Sequence, residues 1–134
     1  MTPAWVDDLA RDLPLVVARG FTHVALEGRV DRPMGDLEAL AEAGVVVAAV
    51  RLHGDLTLAD VEARREQMRR LQRQVADAAS LGATVAWLEP VTAGTDEARA
   101  CLEEGVALLA EYAQGRQVRL VAKGDVQVVR GWES

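Results

Sequence analysis

The chain is expected to fold as one α/β domain spanning residues 1–134, with four strands in a parallel sheet flanked by helices. Three observations predict this. A phrase of amphipathic helix, glycine and short Val-, Leu- and Ala-rich run recurs four times along 134 residues; such alternation builds a parallel sheet through right-handed crossovers. The run Val45 to Leu52 is apolar almost throughout, as in a strand covered on both faces. Each helical stretch is followed by Gly20, Gly44, Gly82 or Gly115, a residue that enters the left-handed conformation without a Cβ clash. The uneven spacing of the units argues against a solenoid repeat.

The first unit places a helix over Leu13 to Arg19 and a strand over Thr22 to Glu27, with Pro14 breaking or restarting the helix. The second has a helix over Leu37 to Ala43 and the strand Val45 to Leu52. In the third, Leu58, Val61, Met68, Leu71, Val75 and Ala78 fall near one stripe of a helix running to Leu81, which Thr57 and Asp60 cap as a box. A strand over Thr84 to Glu89 follows. The fourth helix, Glu97 to Gln114, carries the stripe Ala98, Leu102, Val106, Leu109 and Ala113, is capped by Thr95 or Asp96, and leads into a strand over Val118 to Lys123. Gly124 and Asp125 form a plausible hairpin turn, so residues 124–134 are expected as an antiparallel edge strand or an extended arm, with Trp132 as a docking residue. The pattern fits an open doubly wound sheet and an arc of a (β/α)8 barrel equally well.

A net charge of −6 argues against the clustered positive potential that nucleic acid or an anionic membrane requires. The single cysteine, Cys101, permits no disulfide and reads as a small core residue, consistent with a reducing, cytoplasmic setting. No apolar run approaches the ~18 residues of a membrane span. There is no Walker A loop, no dinucleotide-binding glycine fingerprint, no His-Glu-x-x-His and no Gly-x-Ser-x-Gly. The Arg64, Arg65, Arg69, Arg70 and Arg73 run is interrupted by Glu62 and Glu66 at i to i+3 and i+4 spacing, so it reads as an ion-paired, solvated helix face. His23, inside a strand, reads as a packed or partly exposed strand residue.

In parallel α/β proteins the ligand site lies at the carboxyl ends of the strands, where loops and helix N-termini converge. The residues there are Glu27, Arg51 with His53, Glu89 and Lys123. Two carboxylates, an imidazole and two cations form an acid/base set: Glu27 or Glu89 as base, His53 as acid or metal ligand, and Arg51 and Lys123 to neutralise an anionic ligand. The small polar loop Val91 to Thr95 adds a weak anion-binding signal before the last helix.

Gly-Phe-Thr-His-Val-Ala-Leu-Glu at Gly20 to Glu27 resembles the second-strand entry of the xylose-isomerase-like barrels, a family of sugar-phosphate isomerases, epimerases and endonuclease IV. Gly44 to His53 resembles that family's third strand, Val75 to Ala83 its Ala-x-x-Leu-Gly-Ala entry to the fourth, and Val118 to Lys123 its fifth. The resemblance implies a partial TIM-barrel-like arc covering residues 13–123, with the family's first strand, which would precede Trp5, absent and without strands six to eight. It also implies a divalent metal held by a Glu at the end of the fifth strand, where this chain has Lys123. No cofactor is therefore expected as a resident group, although the family allows a divalent metal at the rim. A four-strand arc leaves unpaired edges and an apolar concave face, which a homodimer would cover. The expected function is a non-catalytic, degenerate binding or assembly module. The alternative is a divergent sugar-phosphate isomerase or epimerase whose site, for a small phosphorylated or sugar-like ligand, is completed across the dimer.

Overall fold

A computed structural model describes residues 2–89, 91–122 and 126–133. It contains nine regular elements in the order β1 (Ala4–Val6), α1 (Leu9–Ala18), β2 (His23–Glu27), α2 (Met34–Ala43), β3 (Val46–Leu52), α3 (Val61–Ser80), β4 (Val85–Leu88), α4 (Asp96–Gly115) and β5 (Arg119–Val121). The strands lie side by side in sequence order, β1-β2-β3-β4-β5, and every pair is parallel. The alternation left a doubly wound sheet and a barrel arc equally open, and strands in sequence order are those of the arc.

It has one strand more than expected. Ala4, Trp5 and Val6 are all buried and form β1, a run too short for periodicity to reveal. Helix α1 starts four residues earlier than Leu13 and passes through Pro14 without a break. Asp8 caps it, accepting from Arg11 N at 3.1 Å, and Pro14 sits on its exposed face, where solvent reaches the carbonyl that proline leaves unbonded. Helix α3 is capped by Asp60, which accepts from Ala63 N at 3.1 Å, while Thr57 donates its N–H to Asp55 at 2.8 Å. The expected box with Thr57 is therefore replaced by a turn within the loop. Thr95 caps α4, accepting from Ala98 N at 3.0 Å. After α4 the left-handed position falls on Gln117 (φ 61°) rather than Gly115.

The two faces of the sheet differ. On one, α1 to α4 supply Leu13, Val16, Leu40, Leu71, Val75 and Leu109 to a continuous core with Val6, Val24, Leu26, Val50, Leu52 and Ala86. The other face holds a separate cluster of Trp5, Ala25, Ala49 and Trp87, with no helical residue in it. Side chains alternate along a strand, so this inner face also receives Glu27 and Arg51.

The C-terminal segment covers that inner face. Val126 and Val128 pack against the Trp5 and Trp87 cluster, and Val129 forms a parallel bridge to Ala4. Val129 N donates to Pro3 O at 2.9 Å, and Trp5 N donates to Val129 O at 3.0 Å. Of the two expectations for the tail, the extended arm is what forms; the turn at Gly124 and Asp125 lies outside the described residues. The arm ends on Trp132, whose indole is buried in the helix-side core, meets Phe21 edge-on with centroids 5.7 Å apart, and donates Nε1–H to Trp5 O at 2.7 Å. Arg19 closes the contact by donating to the carbonyls of Trp132 and Glu133 at 2.8 and 2.9 Å. Trp132 docks, as expected of it, but onto its own chain.

Candidate functional site

The carboxyl ends of β2, β3 and β4 bring Glu27, Arg51, His53 and Glu89 together. A register shift sets this up. Val24 pairs with Val47, but Ala25 pairs with Ala49, so one residue of β3 is skipped. Without the shift Glu27 would sit opposite Val50; with it, Glu27 faces Arg51, and Arg51 faces Trp87. Bulges of this kind re-aim side chains near functional sites.

The Arg51 guanidinium bridges two carboxylates. Nη2 donates to Glu27 Oε1, and Nη1 reaches Glu89 Oε1 at 3.4 Å. The carbon of the guanidinium lies 4.7 Å from the centroid of the Trp5 ring, a cation–π contact. The hydrogen bond to Glu27 is the largest cause that holds the Arg51 pKa above its ordinary value; burial opposes it, and the charges of Glu27 and Glu89 add to it. Arg51 Nε is buried and has no partner among the described residues.

His53 Nε2 lies against Glu27 Oε2, the second oxygen of the same carboxylate. Glu27 is therefore held between a cation and an imidazole, while its carbonyl accepts from Arg32 Nη2 at 2.7 Å. The Arg32 side chain is itself largely buried and paired with Asp77 at 2.8 Å and Asp36 at 3.0 Å, which pins the loop after β2 to α3 and α2. Beside it a cleft of about 350 Å³ opens at the ends of β1 and β2, lined by Asp7, Asp8, Glu27, Arg29, Arg32 and Asp36.

Two indoles form the floor. Trp5 and Trp87 meet edge-on with centroids 5.9 Å apart, and each carries a polar handle: Trp5 Nε1 donates to Asp7 Oδ1 at 2.9 Å, and Trp87 Nε1 to Glu89 Oε1 at 3.4 Å. From the arm, Arg130 places its guanidinium carbon 5.1 Å from the Trp5 centroid. Four of the five residues singled out at the strand ends thus share one site, and Lys123 lies outside the described residues. Trp5, Asp7, Trp87, Arg32 and Arg130 join them unforeseen. Trp87 had a usable signal, since it stands two residues before Glu89 and so on the same face.

His23 is a partly exposed strand residue paired with Thr22 Oγ1 at 2.8 Å and takes no part in the site. Glu62 with Arg65 and Glu66 with Arg69 form exposed ion pairs at 3.1 Å, as the charge pattern of α3 predicts. Cys101 is free and half-buried.

Among the described residues the donor set at the rim does not fit a divalent metal. Among the described residues no three His, Cys, Asp or Glu side chains converge on one point, and both rim carboxylates already share a guanidinium. Hard divalent cations need several oxygen ligands around one centre; here Arg51 supplies the positive charge. Among the described residues no helix is long and apolar enough to cross a membrane.

No family profile matches the sequence, and no curated relative matches it significantly. Solved structures do match. The chain superposes on 3-keto-D-glucoside 4-epimerase from E. coli with a TM-score of 0.75 at 13% identity, covering 97% of this chain and 59% of that one. An L-ribulose 3-epimerase gives 0.73 at 21% identity over 91% of this chain and 49% of that one. A xylose isomerase-like TIM barrel protein from Mycobacterium smegmatis, in complex with magnesium, gives 0.62 at 18% identity over 83% and 44%. The chain spans about half the length of the structures it matches, and among the described residues its open, five-stranded parallel sheet has the fold of part of a xylose-isomerase-like TIM barrel.

Proposed function

We propose that this chain is a ligand-binding half-barrel that holds a neutral sugar or sugar-like polyol at the rim formed by Glu27, Arg51, His53 and Glu89 without using a divalent metal. One observation carries the reading: the Arg51 guanidinium bridges Glu27 and Glu89. A carboxylate pair bridged in this way keeps one net negative charge and offers hydroxyl groups carboxylate acceptors beside guanidinium donors. Beneath the rim the buried Trp5 ring steadies the Arg51 guanidinium by a cation–π contact. A phosphorylated ligand fits less well, because Arg51 is already paired twice. The likeness to epimerases of keto sugars supports the ligand class.

A second reading, epimerase-like catalysis, is favoured by the contact of His53 Nε2 with Glu27 Oε2, since a carboxylate beside an imidazole can move a proton at a carbon next to a carbonyl. One experiment tests both. L-Ribulose is titrated into the protein by calorimetry in EDTA, and the mixture is followed in D2O by NMR. Binding that Arg51→Met abolishes, with no deuterium entering the sugar, supports the binding module. Deuterium uptake lost in Glu27→Gln establishes the enzyme instead. Absence of binding at millimolar sugar overturns the ligand class.

The proposal includes association of two copies in a reducing, cytoplasmic setting. The outer edge of β1 is taken by Val129, so the edge left for a second copy is that of β5, beside an apolar groove lined by Leu102, Val106 and Ala122. Sedimentation at micromolar concentration should give the mass of a dimer; a strictly monomeric mass would remove this part of the proposal.

A further inference from the structure

We infer that Gln74 is a positioning residue for the pair formed by His53 and Glu27; the inference rests on that pair being part of the working site. Gln74 lies on α3 in the buried stripe with Leu71, Val75 and Ala78, and is only 3% exposed. An apolar residue would pack there without a desolvation cost, so the amide calls for a reason. Its reason is His53. Oε1 accepts from His53 N at 2.8 Å, and Nε2 donates to His53 O at 2.8 Å.

One side chain thus takes both backbone polar groups of a residue that stands just beyond the end of β3. The imidazole itself is half exposed, so packing does not hold it; its placement on Glu27 follows from where the backbone is fixed. The same amide also registers Glu27. Gly28 donates its N–H to Arg51 O at 2.8 Å, and a Cβ at Gly28 would lie 3.0 Å from Gln74 Cβ and 3.1 Å from both Arg51 O and Gln74 Oε1. Glycine is needed there by close approach, and Gln74 is what it approaches. The neighbours of both members of the pair are therefore set against one buried amide. Glutamine suits the task because it offers one acceptor and one donor in a planar group; an ionised glutamate offers acceptors only.

The test uses the ring signals of His53 in ¹H–¹³C NMR spectra, recorded over a range of pH, with Glu27→Gln as the reference for a broken pair. In Gln74→Leu the His53 signals should shift to the Glu27→Gln positions at every pH. Gln74→Glu should behave differently. While its buried carboxyl is protonated it can donate to His53 O and accept from His53 N, so the signals stay at the wild-type positions and move to the reference only as pH rises through that carboxyl's titration. Should Gln74→Leu fail to fold, Gly28→Ala, which presses on Gln74 from the neighbouring loop, should produce the same displacement. Ring signals that coincide with wild type in a folded Gln74→Leu or Gly28→Ala protein overturn the inference. The readout requires no sugar, so a failure of L-ribulose to bind the wild-type protein would count against the proposed function and leave this test intact.

Discussion

Replacing Arg51 by methionine removes the charge and keeps most of the side chain's length. Breaking a fully buried ion pair costs about 3–5 kcal/mol because the surviving charge is stranded, whereas exposed pairs contribute about 0–1 kcal/mol. Arg51 and Glu27 lie between these limits, with side-chain exposures of 23% and 26%. Glu89, at 51%, is solvated enough to lose its partner at little cost. The expected loss for Arg51→Met is therefore about 2 kcal/mol, most of it from leaving Glu27 uncompensated. For a chain of 134 residues, an unfolding entropy of about 2.1 cal/mol/K per residue converts this to a fall in Tm of about 7 °C. A double-mutant cycle isolates the cause. In a Glu27→Gln background the same substitution should cost only about 0.5 kcal/mol, because no stranded charge remains. Urea unfolding followed by circular dichroism, with unchanged m-values as the check on two-state behaviour, measures all four corners. A cost within about 0.5 kcal/mol in both backgrounds would mean that the guanidinium is solvated in solution and would refute the bridging role.

The other expectations are narrower. Arg51→Met leaves Glu27 and Glu89 without their shared cation, so magnesium chloride should raise the Tm of this variant and leave that of the wild type unchanged; equal shifts would contradict the replacement of a metal by Arg51. Trp132→Ala removes a buried indole and its hydrogen bond to Trp5 O, and should cost about 3–5 kcal/mol. Limited proteolysis should then cut the freed arm; a resistant arm would show that Val126 to Val129 hold it unaided. Asp12 has its pKa lowered, chiefly by the hydrogen bond from Arg11. A carboxylate lowered in the folded state stabilises above its unfolded pKa of about 3.9, and that contribution is lost as pH falls through the folded value. Asp12→Asn should flatten this acid limb, and an unaltered urea midpoint profile below pH 4 would exclude Asp12 as a contributor.

The sequence carried the alternation of elements, because helical stripes and glycine-ended helices are long-range patterns that single residues cannot blur. It also carried Glu27, Arg51, His53 and Glu89, because strand ends follow from strand limits. It did not carry β1, whose three residues show no period, nor the shift at Val24 and Ala25 that places Glu27 opposite Arg51. The inner face was expected to need a second copy to cover it. Instead Val126 and Val128 cover the Trp5 and Trp87 cluster, which required knowing that the tail crosses to the far edge of the sheet. Gln74 was hidden for another reason: a glutamine in an apolar stripe of an Arg- and Glu-rich helix reads as surface until its depth is known.

In the proposed function Arg51 takes the place of a divalent cation at this rim. Elemental mass spectrometry of the protein purified without chelator tests it most directly. Zinc, manganese, magnesium and related metals should be found far below one per chain; about one tightly held metal per chain, lost in Glu27→Gln, would mean that a cation and not Arg51 occupies the rim.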